Sequence, residues 1–391
     1  MSGMAALPPE LFDIIIGHAR DDICDLATCS LICRSWLASA RYHIFQGNPI
    51  SIRPGNVQTF IQLIAHPLST LPPYIQSLEL LSLNSPEGSF DSQWLDPIIG
   101  ILANLPCVTE ILIENIHWGR MNPSTKSALL TGFRALTHLE LWAAQFDSVS
   151  HLLQLVCSKP LLQILSFDDL GWEDPSFETP ANSSQCVPGT LHSLRLSNCY
   201  KRDILDWLTS HVTIPPIHHI QLGSVYPEDT HSIGRFLKRL GSDLLTLQLE
   251  FSSLDAGGDA EDFCSQVDLA HNSALRTVIL DKFIHYSVYQ FSSAVGWIPE
   301  LISRIPSLRE VSFGIAIRDV EELHPQEDPI DWDALDDIFC HPRFPHLRAL
   351  RFWVSGNVEF DEAISAISLS LPRSNQQRIL RFHRGTPRLL D

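Results

Sequence analysis

The chain has 391 residues, 45% of them hydrophobic and 18% charged, enough to bury a large core and inconsistent with a disordered polymer. A formal charge of -18 at pH 7 argues against a surface built to neutralise phosphates, so no nucleic-acid partner is expected. No apolar run approaches the roughly twenty residues that span a bilayer and no signal-peptide pattern opens the chain, so a soluble cytoplasmic or nuclear protein with no membrane partner is expected.

The first forty-odd residues carry helical signals. Leu7-Pro8-Pro9-Glu10 suits a helix start, because proline loses nothing in the first turn and Glu10 favours the positive end of the dipole. Leu11, Ile14 and Ile15 recur at helical spacing, Asp21-Asp22 suits the cap and first turn of a second short helix with Ile23 and Leu26, and a third helix carries Ser30 to Trp36. So small a unit usually needs a partner to bury its apolar surface.

The features Leu7-Pro8-x-Glu10-Leu11, Ile14-Ile15-Ile16, Asp25-Leu26 and Cys29-Ser30-Leu31-Ile32-Cys33-Arg34-Ser35-Trp36 together resemble the F-box. That motif docks onto the Skp-type adaptor of cullin-RING ubiquitin ligases. The resemblance implies an adaptor-binding set of Leu7, Pro8, Glu10, Leu11, Ile14, Ile15, Leu26, Leu31 and Trp36. The link between the first two helices, Gly17 to Ile23, is short for the family and lacks its usual proline.

After Ile50 and Ile52, a short strand, Val57, Phe60, Ile61 and Ile64 mark an amphipathic helix. A repeat of the form apolar-x-x-apolar-x-apolar then begins at Ile75/Leu78/Leu80 and Val108/Ile111/Ile113. It recurs at Leu136, Leu162, Leu191, Ile217, Leu244, Leu275, Leu308 and Leu347, with helical stripes such as Ile233/Phe236/Leu237/Leu240 in between. One strand and one helix per repeat cannot bury a face alone, so the copies must stack.

This resembles the leucine-rich repeat, and implies parallel strands on a concave side and helices on a convex side. The Asn or Cys that the repeat expects three residues after its last strand leucine appears only as Cys199; Ile116, Leu170, Val225 and Phe283 stand there elsewhere. Residues 84–94, 168–190, 252–268, 284–296 and 318–332 break the period and read as loops. Arg318 to Asp337 is acidic, and the chain from Arg343 onward is arginine-rich. Ile364, Ile367 and Leu371 suit a last helix, and Leu380-x-Phe382 a final strand.

No Walker A loop, G-x-G-x-x-G, G-x-S-x-G, H-E-x-x-H or C-x-x-C pattern occurs, so neither enzyme activity nor a cofactor or metal is expected. Nine cysteines without a small-domain framework read as reduced thiols. Strand alternation turns Glu79, Glu110, Glu114, Glu140, Trp142, Glu250, Asp281, Arg351 and others toward the concave side. Within that set, Glu110, Glu114, Glu140 and Trp142 are the candidate target-binding residues, an aromatic among carboxylates suited to a basic peptide.

The expected fold class is therefore α/β: a small all-α F-box at 1–48, a leucine-rich-repeat-like solenoid at 49–384, and a loose tail at 385–391. The whole resembles F-box/leucine-rich-repeat proteins of mushroom-forming fungi. It implies a non-catalytic substrate receptor of a Skp-cullin-F-box type ubiquitin ligase, partnered by the adaptor, through it a cullin, and by a target protein. The alternative is a scaffold with the same modules and no ubiquitination targets.

Overall fold

Helix α1 (Pro9–Gly17) follows Pro8, whose extended backbone at ψ 145° leaves its carbonyl free to accept from Leu11 N at 3.0 Å. The computed structural model describes residues 8–46, 48–82, 93–174, 186–251, 259–285, 297–305, 307–324 and 330–387. Helix α2 (Ile23–Ile32) begins where the Asp22 carboxylate accepts from Cys24 N at 2.8 Å and Asp25 N at 3.2 Å. Cys33 is extended (φ -161°, ψ 169°) and separates α2 from α3 (Arg34–Phe45), so the string from Ser30 to Trp36 is split between two helices rather than held in one.

The chain divides into two compact units, Met1–Ile164 with Gly171–Pro188, and Leu165–Leu170 with Gly189–Asp391. In the first, the three helices are followed by β1 (Ile50–Ile52), α4 (Val57–Ala65), β2 (Ser77–Leu80), α5 (Ile99–Leu102), β3 (Glu110–Glu114), α6 (Pro123–Thr131), β4 (His138–Ser148) and α7 (Val149–Cys157). Strands β1 to β4 pair in parallel and in chain order, with Ile52, Leu80, Ile113 and Leu141 in register and at most 1% exposed. Strand β5 (Ile164–Asp174) contributes residues to both units.

The second unit continues with β6 (Ser193–Cys199), α8 (Lys201–Ser210), β7 (His219–Leu222), α9 (Pro227–Leu240), β8 (Thr246–Leu249), α10 (Asp259–Gln266) and β9 (Thr277–His285). It ends with α11 (Trp297–Ser303), β10 (Glu310–Ile317), α12 (Trp332–Phe339), β11 (Ala349–Gly356), α13 (Phe360–Ser370), α14 (Pro372–Gln376) and β12 (Leu380–Arg384). Here Leu196, Leu222, Leu249, Leu280, Phe313, Phe352 and Phe382 form one register column. The fold class is α/β: N-terminal helices, then parallel strands alternating with helices as in a leucine-rich-repeat solenoid.

A backbone feature explains the departure from the repeat's usual Asn or Cys. Asn115, Ala143, Asp169, Asn198, Ser224 and Lys282 all have φ between 47° and 54°, each two residues after the last strand position of its repeat. A left-handed residue there interrupts alternation, so the next side chain turns into the core. Ile116, Ala144, Leu170, Cys199, Val225 and Phe283 occupy that inward place and are at most 7% exposed. An apolar group fills the position by packing, and no amide is needed.

Several expected loops are regular structure. Residues 168–174 belong to β5, 259–266 form α10, 284–285 extend β9, and Val320–Leu323 is a 3-10 turn. The rest of those stretches lies partly outside the described residues. Continuous apolar runs at β9 and the length of β5 are the physical reason; tertiary pairing extends a strand past the point where alternation stops.

Among the described residues, two buried cations complete the packing. In the first unit, Lys159 is 2% exposed and donates to the carbonyls of Leu129, Leu130 and Gly132 at 2.5, 3.3 and 2.8 Å, satisfying the C-terminal end of α6. In the second, Lys201 is fully buried with Asp229 3.7 Å away and the Ser224 carbonyl at 2.9 Å.

Candidate functional site

The three N-terminal helices build their own small core. Ile16, Leu26 and Ala40 are fully buried, with Phe12, Ala19, Cys29, Trp36 and Ile44 packed around them. The Phe12 and Trp36 rings meet at 5.9 Å. Asp13 ties α1 to α3 by accepting from Ser39 Oγ at 2.5 Å and lying 3.2 Å from His43 Nε2. Gly17 makes room for that histidine, since a Cβ there would lie 3.3 Å from its ring.

The outside of the same helices is unusually apolar. Leu11, Ile14 and Ile15 on α1 are 42%, 58% and 47% exposed, and Ile23, Leu31 and Ile32 on α2 are 53%, 86% and 58% exposed. Leu11, Ile14 and Ile15 share one stripe by their i, i+3, i+4 spacing. With Tyr42 on α3 at 41%, seven large side chains are exposed among the described residues of these helices against three fully buried ones, the reverse of a self-sufficient core. Covering each would contribute about 1.5–3 kcal/mol at full burial, less the ordering cost of association.

Of the residues expected to touch an adaptor, Pro8, Glu10, Leu11, Ile14, Ile15 and Leu31 are exposed. Leu7 lies outside the described residues. Leu26 is 0% exposed and belongs to the core, and Trp36 is half-buried against Phe12, so these two support the face from beneath. Ile23 and Ile32 are also exposed and lie outside the expected set. The sequence signal for Ile32 is the run Leu31-Ile32, two adjacent apolar residues that one helix face cannot bury together.

A second exposed feature lies on the strands of the first unit. Register pairs Glu110 with His138, Leu112 with Glu140, and Glu114 with Trp142, while Glu79 pairs with Leu112 from the other side. Trp142 is 48% exposed, and no loop covers it fully. Burial raises the Glu114 carboxyl above its ordinary value, opposed by Arg53 and reinforced by Glu79. His138 Nδ1 lies 3.9 Å from Glu110. The four expected target-binding residues are thus brought onto adjacent strands.

In the second unit the alternation holds at β7 and β11 but breaks down at β8, β9 and β10. Gln248, Glu250, Ile279 and Ser312 face the side expected to be open, yet all are at most 9% exposed. Glu250 pairs with Lys282 at 2.6 Å, and Gln248 donates to Asp281 at 3.0 Å, with burial raising the Asp281 carboxyl. Among the described residues no group of three or more His, Cys, Asp or Glu side chains could hold a metal ion, and no helix is long and apolar enough to cross a membrane.

No family model matches the chain, and no curated protein matches it. Among solved structures it is similar to the leucine-rich repeat-containing protein LegL7 from Legionella pneumophila, at 15% identity and TM-score 0.46, over 83% of this chain and 98% of that one. It is similar to a chain of the TLR13–ssRNA13 complex at 14% identity and TM-score 0.39, over 80% of this chain and 43% of that one. A chain of the yeast Rad7 and Elc1 complex is similar at 13% identity and TM-score 0.35, over 89% of each.

Proposed function

We propose that the chain is a substrate-receptor subunit of a Skp-cullin-F-box type ubiquitin ligase. In this reading residues 1–48 are an F-box that docks onto the adaptor, and through it a cullin, while residues 49–384 hold a target protein. The observation that carries the reading is the apolar surface of Leu11, Ile14, Ile15, Ile23, Leu31 and Ile32 on a three-helix unit with its own small core. Helices stabilised from within by Ile16, Leu26 and Trp36 can present that surface without unfolding.

The target side of the proposal is the strand face of Glu110, Glu114, Glu140 and Trp142, with a basic segment as its ligand. Catalysis belongs to other subunits. Tethering a target beside a charged conjugating enzyme raises its effective concentration without chemistry by this chain.

The test is co-purification from a cell extract of adaptor and cullin with the full chain, against a chain lacking residues 1–46. Retention of both by the full chain and neither by the truncation is expected. Adaptor recovery with the truncated chain would overturn the reading.

A further inference from the structure

Strand β12 pairs with β11 and, among the described residues, with no other strand. Among the described residues, one edge of its backbone is therefore a template for another strand. The core column that runs through it is also unfinished. Phe313, Phe352 and Phe382 stack in series at 5.2 and 5.7 Å, yet Phe313 and Phe352 are 1% exposed whereas Phe382 is only partly buried.

The opposite face of β11 and β12 carries a distinct chemistry. Arg351 and Arg381 are direct register partners, and like charges opposite one another destabilise a ladder unless an anion lies between them. Glu310 meets Arg351 at 3.1 Å, leaving Arg351 Nε buried with no hydrogen-bond partner among the described residues. Arg381 is exposed; its Nη1 donates to the carbonyls of Arg378 at 2.8 Å and Leu380 at 2.7 Å, and among the described residues no carboxylate forms an ion pair with it. Beside them His383 stacks on Trp353 at 4.5 Å. In a chain of charge -18, residues 371–387 contain Arg373, Arg378, Arg381 and Arg384 and not one carboxylate.

We propose that the β12 edge is a docking strip for an extended acidic segment of a partner protein, added as a further strand. Register then fixes the segment's pattern. Side chains facing the core continue the Phe382 column and must be apolar, and the residues between them face Arg381 and His383. An Asp or Glu meets Arg381, Arg351 being turned toward Glu310, and a ring two residues away extends the Trp353–His383 stack. The strip is independent of adaptor docking, which uses a different part of the chain. Self-pairing of two β12 edges is opposed by Arg381 meeting its own copy.

The probe is a short fluorescein-labelled peptide in which glutamates alternate with valines, titrated against the full chain by polarisation. Saturable binding is expected, weakened roughly tenfold by Arg381→Glu and by raised salt, as for a charge pair at an interface. Methylating the peptide backbone N–H groups that face β12 should abolish binding, which pure charge attraction would not require. Arg381 is exposed and the change removes its like-charge pairing with Arg351, so the variant should melt no lower than the wild type. Equal binding of a lysine-for-glutamate peptide, indifference to backbone methylation or to Arg381→Glu, or absence of saturable binding would each overturn the proposal. So would a homodimer, seen by light scattering, that the peptide dissociates, because the strip would then belong to a second copy.

Discussion

Glu114 on β3 and Trp142 on β4 are direct partners across a parallel ladder, so an indole that is 48% exposed borders a carboxyl that burial holds above its usual range. A bound cation would restore the carboxylate's stability and cover the ring.

Target capture should accordingly fall about tenfold or more in Trp142→Ala and in the Glu110→Lys/Glu114→Lys double variant, as for an anchor residue. It should also weaken as pH falls through the raised Glu114 range, because only the ionised group attracts a cation. Affinity measured against the captured target across that pH range checks both statements. Adaptor binding should stay at the wild-type level.

Lys159 should be a stability determinant of the first unit. Lys159→Met leaves the carbonyls of Leu129, Leu130 and Gly132 without their donor, at a cost of about 1–3 kcal/mol. Burial lowers the Lys159 ammonium from 10.5 to about 8. Between those values the unfolded chain binds the proton and the folded chain has released it, so stability rises with pH across that window. Denaturant melts of wild type and Lys159→Met should differ in that slope.

Asp229→Asn should cost about 3–5 kcal/mol, since it strands the fully buried Lys201 ammonium 3.7 Å away. The double change Lys201→Met/Asp229→Leu should recover part of the loss, because an apolar pair leaves no orphan charge. A double-mutant cycle by thermal or urea unfolding measures the coupling.

Asn198 adopts φ 47°, donates from Nδ2 to Asp168 at 2.9 Å and accepts from Ser224 Oγ at 2.9 Å. Asn198→Val should destabilise the second unit by about 1–3 kcal/mol, because a β-branched residue disfavours the left-handed region. Asn198→Gly should cost less, losing only the side-chain bonds. Urea midpoints of the two variants give the order.

How much of this is legible in the sequence depends on what each residue must satisfy. Strand positions such as Leu194/Leu196 are readable, because a half-buried parallel strand repeats two apolar residues at fixed offsets from a third. The inward side chains after the left-handed residues are not, since Ile116 or Val225 looks like any apolar residue until φ at Asn115 or Ser224 is known. On α1, the run Ile14-Ile15-Ile16 has the right spacing for either a core or a docking face. Only packing shows that Ile16 goes inward and its two neighbours outward. Leu26, which the resemblance puts in the docking set, is fully buried in the small core. Lys159, Lys201 and Asp229 carry no sign of burial at all, because a charge is buried only where tertiary partners meet it.

The central claim is that the exposed apolar face of α1 and α2 binds a Skp-type adaptor. Calorimetric titration of the full chain with purified adaptor should give saturable binding, weakened about 100-fold or more in Ile14→Glu/Leu31→Glu, as two interface anchors would require, with the melting temperature unchanged. Wild-type affinity in that double variant, or no heat of binding with the unaltered chain, would contradict it.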